Sequence, residues 1–286
     1  MIEARWWHES DGYAICGLCP HGCRIAEGKA GICGSRVNRK GKLYSAVYGY
    51  PCALAIDPVE KKPLYHFLPG TTCFSFSCVG CNLRCKGCQN WSISQAAPGS
   101  EKEYWAPEEL VDLAIKKGCP SIAYTYTEPL TWYEYCFDTA RLAHEKGLYN
   151  ILVSAAYINP EPLREIASLI DAANIDLKYF SDELYRKVSG AGLKPVLNAL
   201  LLLRDAGVHL EITNLLIPGI NDDEAMIRAM CKWLSSNGLS DVPLHFSRFF
   251  PNHKLDTTPP TSLKTLYLAQ SIAREQGLTT IHLGNV

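Results

Sequence analysis

From about residue 72 the chain alternates between two hydrophobic periods. Short runs of β-branched and aromatic residues at 72–77, 121–126, 149–154, 173–178, 208–216, 242–247 and 279–283 read as strands. Amphipathic stretches near 107–117, 132–146, 194–206, 222–236 and 262–276 read as helices, each followed by a glycine that can close the helix end in the left-handed conformation. Pro107 suits a first helical turn, and Asn221 followed by Glu224 reads as a capping box with Asn at the cap. Strands separated by helices of this length pair in parallel through right-handed crossovers. Six or seven such units predict an α/β fold, a partial (β/α)6-type barrel rather than a full eightfold one.

Residues 1–65 do not share this rhythm. They are rich in Gly, Cys and short turns, and a small region of that kind usually needs a metal or cluster to hold it together. Two parts follow: a Cys-rich N-terminal region over 1–65, packed against a barrel over 66–286. The formal net charge of −1 supplies no basic field for nucleic acid, so no nucleic-acid partner is expected. The first residues carry acids and no apolar core of a signal peptide, and the longest apolar stretch, around Leu197–Leu203, is too short to cross a bilayer. The expectation is a cytoplasmic protein with no membrane contact.

Thirteen cysteines alter this neutral picture. An odd number in tight groups is no disulfide framework and points to metal or cluster ligation. Cys81-Asn-Leu-Arg-Cys85-Lys-Gly-Cys88 has the spacing C-x3-C-x2-C. Thiolates hold iron–sulfur clusters, and a cubane normally takes four, so three in one loop leave one iron for a small molecule. The loop begins where the first barrel strand ends, the face on which barrel enzymes place their chemistry. A zinc knuckle completed by Cys78 is the alternative. Cys16, Cys19, Cys23 and Cys33 form a second set, enough to enclose a zinc ion or an additional iron–sulfur cluster, or to remain reduced thiols. Cys52 and Cys73 could also contribute near the first loop, whereas Cys119, Cys136 and Cys231 fall in or beside helical stretches and read as small buried hydrophobes.

With the cluster motif in this β/α setting, the chain resembles the radical SAM (S-adenosylmethionine) superfamily. Within it the chain is similar to the pyruvate formate-lyase-activase-like branch, and most of all to the radical SAM member of the AmmeMemoRadiSam gene system. The resemblance rests on CGLCPHGC at 16–23, AIDPVEKKPLYHFLPG at 55–70, GCNLRCKGCQNWSISQ at 80–95 and AYTYTEP at 123–129. It continues through DLKYF at 176–180, EITNLLIPGIND at 211–222, HFSRFFP at 245–251 and HLGNV at 282–286.

The resemblance implies a [4Fe-4S] cluster on Cys81, Cys85 and Cys88, with SAM bound at the free iron and cleaved reductively to a 5′-deoxyadenosyl radical. It implies a substrate that could be a protein, an electron donor of the flavodoxin or ferredoxin class, and a Memo-like partner. The segment Tyr124-Thr-Tyr126-Thr-Glu128-Pro129 stands where relatives hold the SAM amino group. There Glu128 is either a partner for that ammonium or a helix cap. Asp176 and Lys178, two apart and on one strand face, are the candidate catalytic pair, with a structural ion pair as the alternative. Asn90, Asn214, His245, Ser247, Arg248 and His282 are candidate pocket residues near C-terminal strand ends. Three departures stand out: Gly87 where an aromatic residue usually precedes the last cluster cysteine, Ala155-Ala156 where Asn-Gly is common, and no Cys-x-x-Cys tail after Val286. Trp91 or Tyr126 could replace the missing aromatic platform. Two other readings compete, a glycyl-radical-enzyme activase and a non-catalytic iron–sulfur or zinc carrier.

Overall fold

Six short strands open the chain in the computed structural model, which describes residues 1–99 and 103–286. They are β1 (Ile2–Glu3), β2 (Trp7–Ser10), β3 (Tyr13–Cys16), β4 (Arg24–Ile25), β5 (Arg36–Arg39) and β6 (Lys42–Ser45). They pair antiparallel in two small sheets, β1-β6-β5 and β2-β3-β4. Next, β7 (Ala53–Pro58) pairs antiparallel with β8 (Thr72–Ser77), so the main sheet begins inside the stretch that the sequence groups with the Cys-rich region. Parallel to β8 follow β9 (Ser121–Tyr124), β10 (Tyr149–Ser154), β11 (Ala172–Asp176), β12 (His209–Leu216), β13 (Leu244–Arg248) and β14 (Ile281–Gly284). Strands adjacent in sequence are adjacent in space throughout the eight-stranded sheet.

The helices are α1 (Trp91–Ser94), α2 (Pro107–Lys116), α3 (Tyr133–Glu145), α4 (Pro160–Ala167), α5 (Asp182–Leu184), α6 (Leu193–Asp205), α7 (Glu224–Ser236) and α8 (Leu263–Glu275). Their apolar faces pack on the sheet's outer side. There Phe76 is fully buried against the rings of Trp132, Tyr135 and Tyr124 at centroid distances of 5.1–5.4 Å. Helix α7 is capped by Asp223, whose carboxylate accepts the Met226 amide at 2.9 Å, rather than by Asn221. Asn221 instead accepts the Ile217 amide and donates to the Lys178 and Leu215 carbonyls, bracing the loop after β11. Both α4 and the α5 turn lie where no helix is predicted.

The barrel has a floor made by residues 59–67. Val59 and Leu64 are buried with Cys73, Ala123, Ile151 and Ala172 on the inner faces of the strands. Phe67 meets the rings of Tyr149 and His209, which start β10 and β12, so this segment closes the N-terminal ends of the strands. Glu211, fully buried, anchors it. Its carboxylate accepts the amides of Tyr65 and His66 at 3.1 and 2.8 Å, and lies 3.3 and 2.6 Å from the Nε2 atoms of His209 and His245.

The N-terminal region docks on α3 through a second buried group. Arg36, 1% exposed, pairs with Glu134 at 3.0 Å and donates to the Arg5 carbonyl, while the Arg5 amide donates to the same carboxylate at 2.8 Å. Breaking such a pair leaves a buried charge uncompensated and costs far more than its net contribution. Tyr48 adds a bond to Asp138 at 2.7 Å, and Asn159, just before α4, donates to the Gly17 carbonyl at 2.7 Å.

Burial would raise the pKa of Glu211, but the histidine and amide donors outweigh it and hold the carboxyl at about 2, below its ordinary 4.5. A depressed acid contributes stability above its unfolded pKa and loses it as pH falls through the folded one. Wild-type protein should therefore lose about 3 kcal/mol from this group between roughly pH 4.5 and 2. Urea melts across that window should show the wild-type advantage over Glu211→Gln shrinking as pH falls. A difference independent of pH would mean that the charge is not what holds the floor.

Candidate active site

The C-terminal end of β8 delivers the chain directly into the C-x3-C-x2-C loop. Gly80 (φ +98°) makes the turn, and a Cβ there would lie 2.5 Å from the Cys33 carbonyl oxygen, so only glycine permits this approach. The Cys81 amide then donates to that same carbonyl at 3.2 Å. Further along, the Arg84 and Lys86 amides donate to the Ser189 and Val188 carbonyls at 2.7 and 3.0 Å, and the Lys254 amide donates to the Lys86 carbonyl at 2.9 Å. Arg84 folds back onto the Cys81 and Leu83 carbonyls and also reaches the Ile32 carbonyl. The loop is thus tied to the N-terminal region, to the turn after β11 and to the loop after β13.

Cys81, Cys85 and Cys88 are half-buried within this loop. The Leu83 amide donates to the Cys81 sulfur at 3.3 Å, and Cys88 lies 3.5 Å from the Ser94 hydroxyl. Desolvation pushes the Cys81 thiol well above its ordinary range, with the charges of Glu128, Cys85 and Cys88 adding to it. Desolvation likewise pushes Cys85 up to about 11, against the pull of the Lys178 ammonium. Thiols in such a setting ionise when a cationic centre binds them, and that binding releases protons. Among the described residues no three His, Cys, Asp or Glu side chains converge as ligands of one metal ion do. Three thiols from one loop fit three corners of a cubane and would leave its fourth iron without a protein ligand. Cys78, the fourth ligand of the zinc-knuckle alternative, is fully buried with its thiol donating to the Val47 carbonyl at 3.6 Å. Cys73 faces the barrel interior near Ser75.

Asp176 ends β11 and Lys178 lies just beyond it, their charged groups 2.7 Å apart. The pair is partly open, at 36% and 23% side-chain exposure. Desolvation disfavours the Lys178 charge, yet Asp176 and Cys85 more than compensate and raise its pKa well above the ordinary value. The pair and the cluster loop are therefore electrostatic neighbours.

Other candidates are engaged differently. Tyr124 points to the outer face, fully buried beneath α3 with its hydroxyl donating to Asn150 at 2.8 Å, and has no path to the barrel mouth. The Glu128 carboxylate, 1% exposed, accepts the Ser154 hydroxyl at 2.6 Å and the Ala155 and Leu130 amides at 2.9 and 3.2 Å. Burial raises its pKa, these donors working against the rise. It caps the turn Pro129–Thr131 and holds the end of β10, which matches the capping alternative. Asn214 is consumed by the Leu177 and Lys178 carbonyls. Arg248 donates to the Thr261 carbonyl and lies over the Phe250 ring, while Ser247 packs beside Gly284. His245 and His282 are second residues of strands that begin at Leu244 and Ile281, so they sit toward the floor rather than at C-terminal ends. His245 meets Glu211, and His282 lies 2.8 Å from His66, Nε2 to Nε2. Burial and the neighbouring histidines lower the pKa of His282.

Sequence reasoning missed the Asp57–Lys62 pair. Asp57 takes Lys61 at 2.7 Å, Lys62 at 2.6 Å and the Tyr126 hydroxyl, which together outweigh burial and hold its carboxyl well below the usual range. Tyr126 (φ +69°) is thereby committed, its carbonyl accepting the Asn90 amide group at 2.8 Å. An aromatic side chain at position 87 would collide with Leu255 and Phe249, which already stand 3.1 and 3.2 Å from a Cβ placed there. Trp91 stacks on His253 with centroids 5.1 Å apart and planes 15° off parallel.

The sequence profile of the Radical SAM superfamily matches residues 76–230, the span from β8 to α7 that carries this loop. The chain belongs to the radical SAM superfamily. Family membership brings a [4Fe-4S] cluster and SAM, and the thiol loop fits the cluster. The protein is 44% identical over 289 residues to the uncharacterized protein MJ0808 of Methanocaldococcus jannaschii, covering all of this chain and 86% of that one. It is 25% identical over 157 residues to the pyruvate formate-lyase-activating enzyme of Clostridium pasteurianum, 53% of this chain and 64% of that enzyme. In fold it resembles a radical SAM methyltransferase from Sphaerobacter thermophilus, with TM-score 0.55, 17% identity, and coverage of 77% and 68% of the two chains. It is a radical SAM enzyme, similar over about half of its length to a pyruvate formate-lyase-activating enzyme. No helix among the described residues is long and apolar enough to cross a membrane.

Ala155-Ala156 has a structural consequence. Ala156, fully buried, adopts φ +49°, its amide donating to the Ser154 hydroxyl at 2.8 Å. A Cβ in that region costs about 1–2 kcal/mol, partly offset by the greater entropy that glycine loses on folding. Ala156→Gly should stabilise the protein by roughly 0.5–1 kcal/mol in denaturant melts. A loss of stability would show that the methyl group packs more favourably than its backbone strain costs.

Proposed function

We propose that this chain reductively cleaves SAM at a [4Fe-4S] cluster on Cys81, Cys85 and Cys88 and directs the radical to a substrate hydrogen atom, as the radical SAM member of an AmmeMemoRadiSam system. The observation that carries the reading is the three-thiol loop at the end of β8 beside the Asp176–Lys178 pair. When bound, the cluster supplies the electron that splits SAM into methionine and a 5′-deoxyadenosyl radical. The chain's own residues do the rest. Lys178 sets a fixed cation against the thiolate of Cys85, lowering the cost of gathering negative charge there. Asp176 and Lys178 together match the two charges of a zwitterionic amino-acid group, such as the methionine end of SAM. Glu128 acts through backbone, fixing the Ala155 and Leu130 amides at the ends of neighbouring segments. The electron comes from a flavodoxin or ferredoxin, the substrate is a protein or small molecule of a Memo-containing system, and the setting is cytoplasmic.

A second reading, activation of a glycyl-radical enzyme, is favoured by the similarity to the Clostridium pasteurianum enzyme. It requires a partner with a glycine loop, and a glycyl radical formed on such a partner would select it.

Anaerobically reduced protein should convert SAM to 5′-deoxyadenosine, measured by chromatography. Replacing Cys81, Cys85 and Cys88 together with Ala should abolish conversion, and full activity in that variant would end the proposal. Lys178→Ala should lower deoxyadenosine formation by about tenfold or more while iron content stays at the wild-type level. Loss of iron in Lys178→Ala would assign Lys178 to cluster retention instead.

A further inference from the structure

The second cysteine set is absorbed by none of this chemistry. Cys16, Cys19, Cys23 and Cys33 line one small cavity together with His21 and Arg36. They come from the end of β3, the turn after it and the stretch before β5, brought together by bonds from the Cys16 amide to the Cys23 carbonyl and from the Gly22 amide to the Cys19 carbonyl.

Three features of this cavity point to a ligand. First, four free thiols face one small space: Cys16, Cys19, Cys23 and Cys33 all line the cavity with no disulfide among them, and the Ser35 hydroxyl lies 3.2 Å from the Cys33 sulfur. Second, a buried cation lines the cavity wall. Arg36 is 1% exposed, and its Nε has no hydrogen-bond partner among the described residues, although NH1 and NH2 are both engaged. An orphaned guanidinium nitrogen next to four thiols is costly unless negative charge gathers there. Third, the cavity adjoins the first site. The Cys33 carbonyl accepts the Cys81 amide at 3.2 Å, and the His21 Nε2 lies 2.8 Å from the Asn82 carbonyl.

Adjacency selects between a zinc ion and a cluster: this set joins the three-thiol loop directly through the Cys33 carbonyl and the Asn82 backbone, a place where a second redox centre can exchange electrons and redox-inert zinc cannot.

We propose that Cys16, Cys19, Cys23 and Cys33 hold a second [4Fe-4S] cluster. With four thiolates it is fully ligated and has no iron to offer SAM, in contrast to the cluster on Cys81, Cys85 and Cys88. Its excess negative charge is met by Arg36.

Metal content of the full chain, purified and reconstituted anaerobically, tests this. Wild type should carry about eight irons and eight sulfides, as for two cubanes, and the Cys81, Cys85, Cys88→Ala triple variant about four of each. In the reduced triple variant the electron paramagnetic resonance spectrum of the remaining cluster should not change when SAM is added. Cys19→Ser with Cys23→Ser should likewise bring wild type down to about four irons. If that double variant does not fold, the triple variant alone decides. An iron-free triple variant, one zinc in place of the irons, or a spectrum that shifts with SAM would each overturn the proposal. Failure of SAM cleavage in wild type, with four irons retained in the triple variant, would sink the proposed activity and leave this site standing.

Discussion

One close approach fixes how the two halves of the molecule meet. The Cys33 carbonyl oxygen lies where a side chain on Gly80 would have to be, and there it accepts the Cys81 amide. The first residue of the cluster loop is therefore positioned by Cys33, the last of the four clustered N-terminal cysteines. Arg36 and Glu134 secure the same junction from below, as a buried charge pair whose partners come from β5 and α3. Because each of these contacts is buried or sterically exclusive, the cluster loop cannot shift without moving the N-terminal sheets. A cofactor site needs this stiffness, since first-ligand geometry is only as good as the shell that supports it.

Charge inside the barrel is separated by height. Glu211 belongs to the floor and is saturated by donors. Asp57 with Lys61 and Lys62 lines the β7 edge and is equally saturated. Asp176 and Lys178 at the mouth are the partly open pair, and the one coupled to a cluster cysteine. Saturated buried charges make a rigid wall, because each remaining lone pair is already committed. A half-open pair retains capacity for a ligand. That contrast, rather than residue type, distinguishes the mouth from the floor.

The strand–helix rhythm was legible because most helices end at a glycine and most strands are continuous apolar runs. Helix α4 escaped because it is eight residues long, starts at Pro160, carries a second proline at 162 and is followed at its C-cap by Ser168 rather than a glycine. The cluster loop could be read from spacing alone. Tyr124 could not be placed, since a strand residue's face depends on register, and Ile122 and Tyr124 turn outward while Ser121 and Ala123 turn in. His245 and His282 were misjudged in height because their strands begin two residues later than the apolar pattern suggested. The Asp57–Lys62 pair had a signal, an acid followed at i+4 and i+5 by lysines. Only burial shows that it is internal.

The barrel floor also dictates an order of events during synthesis. Tyr65 and His66 precede their carboxylate partner by 146 and 145 positions, so the ribosome releases the Pro63–Phe67 segment long before Glu211 exists. Until β12 and β13 emerge, Leu64, Tyr65 and Phe67 have no lid to close and stay open to solvent. Contacts of such sequence separation form late and leave apolar surface exposed meanwhile. The nascent chain must therefore wait for its C-terminal half before this end is sealed. Molecular chaperones would find their natural purchase in that interval.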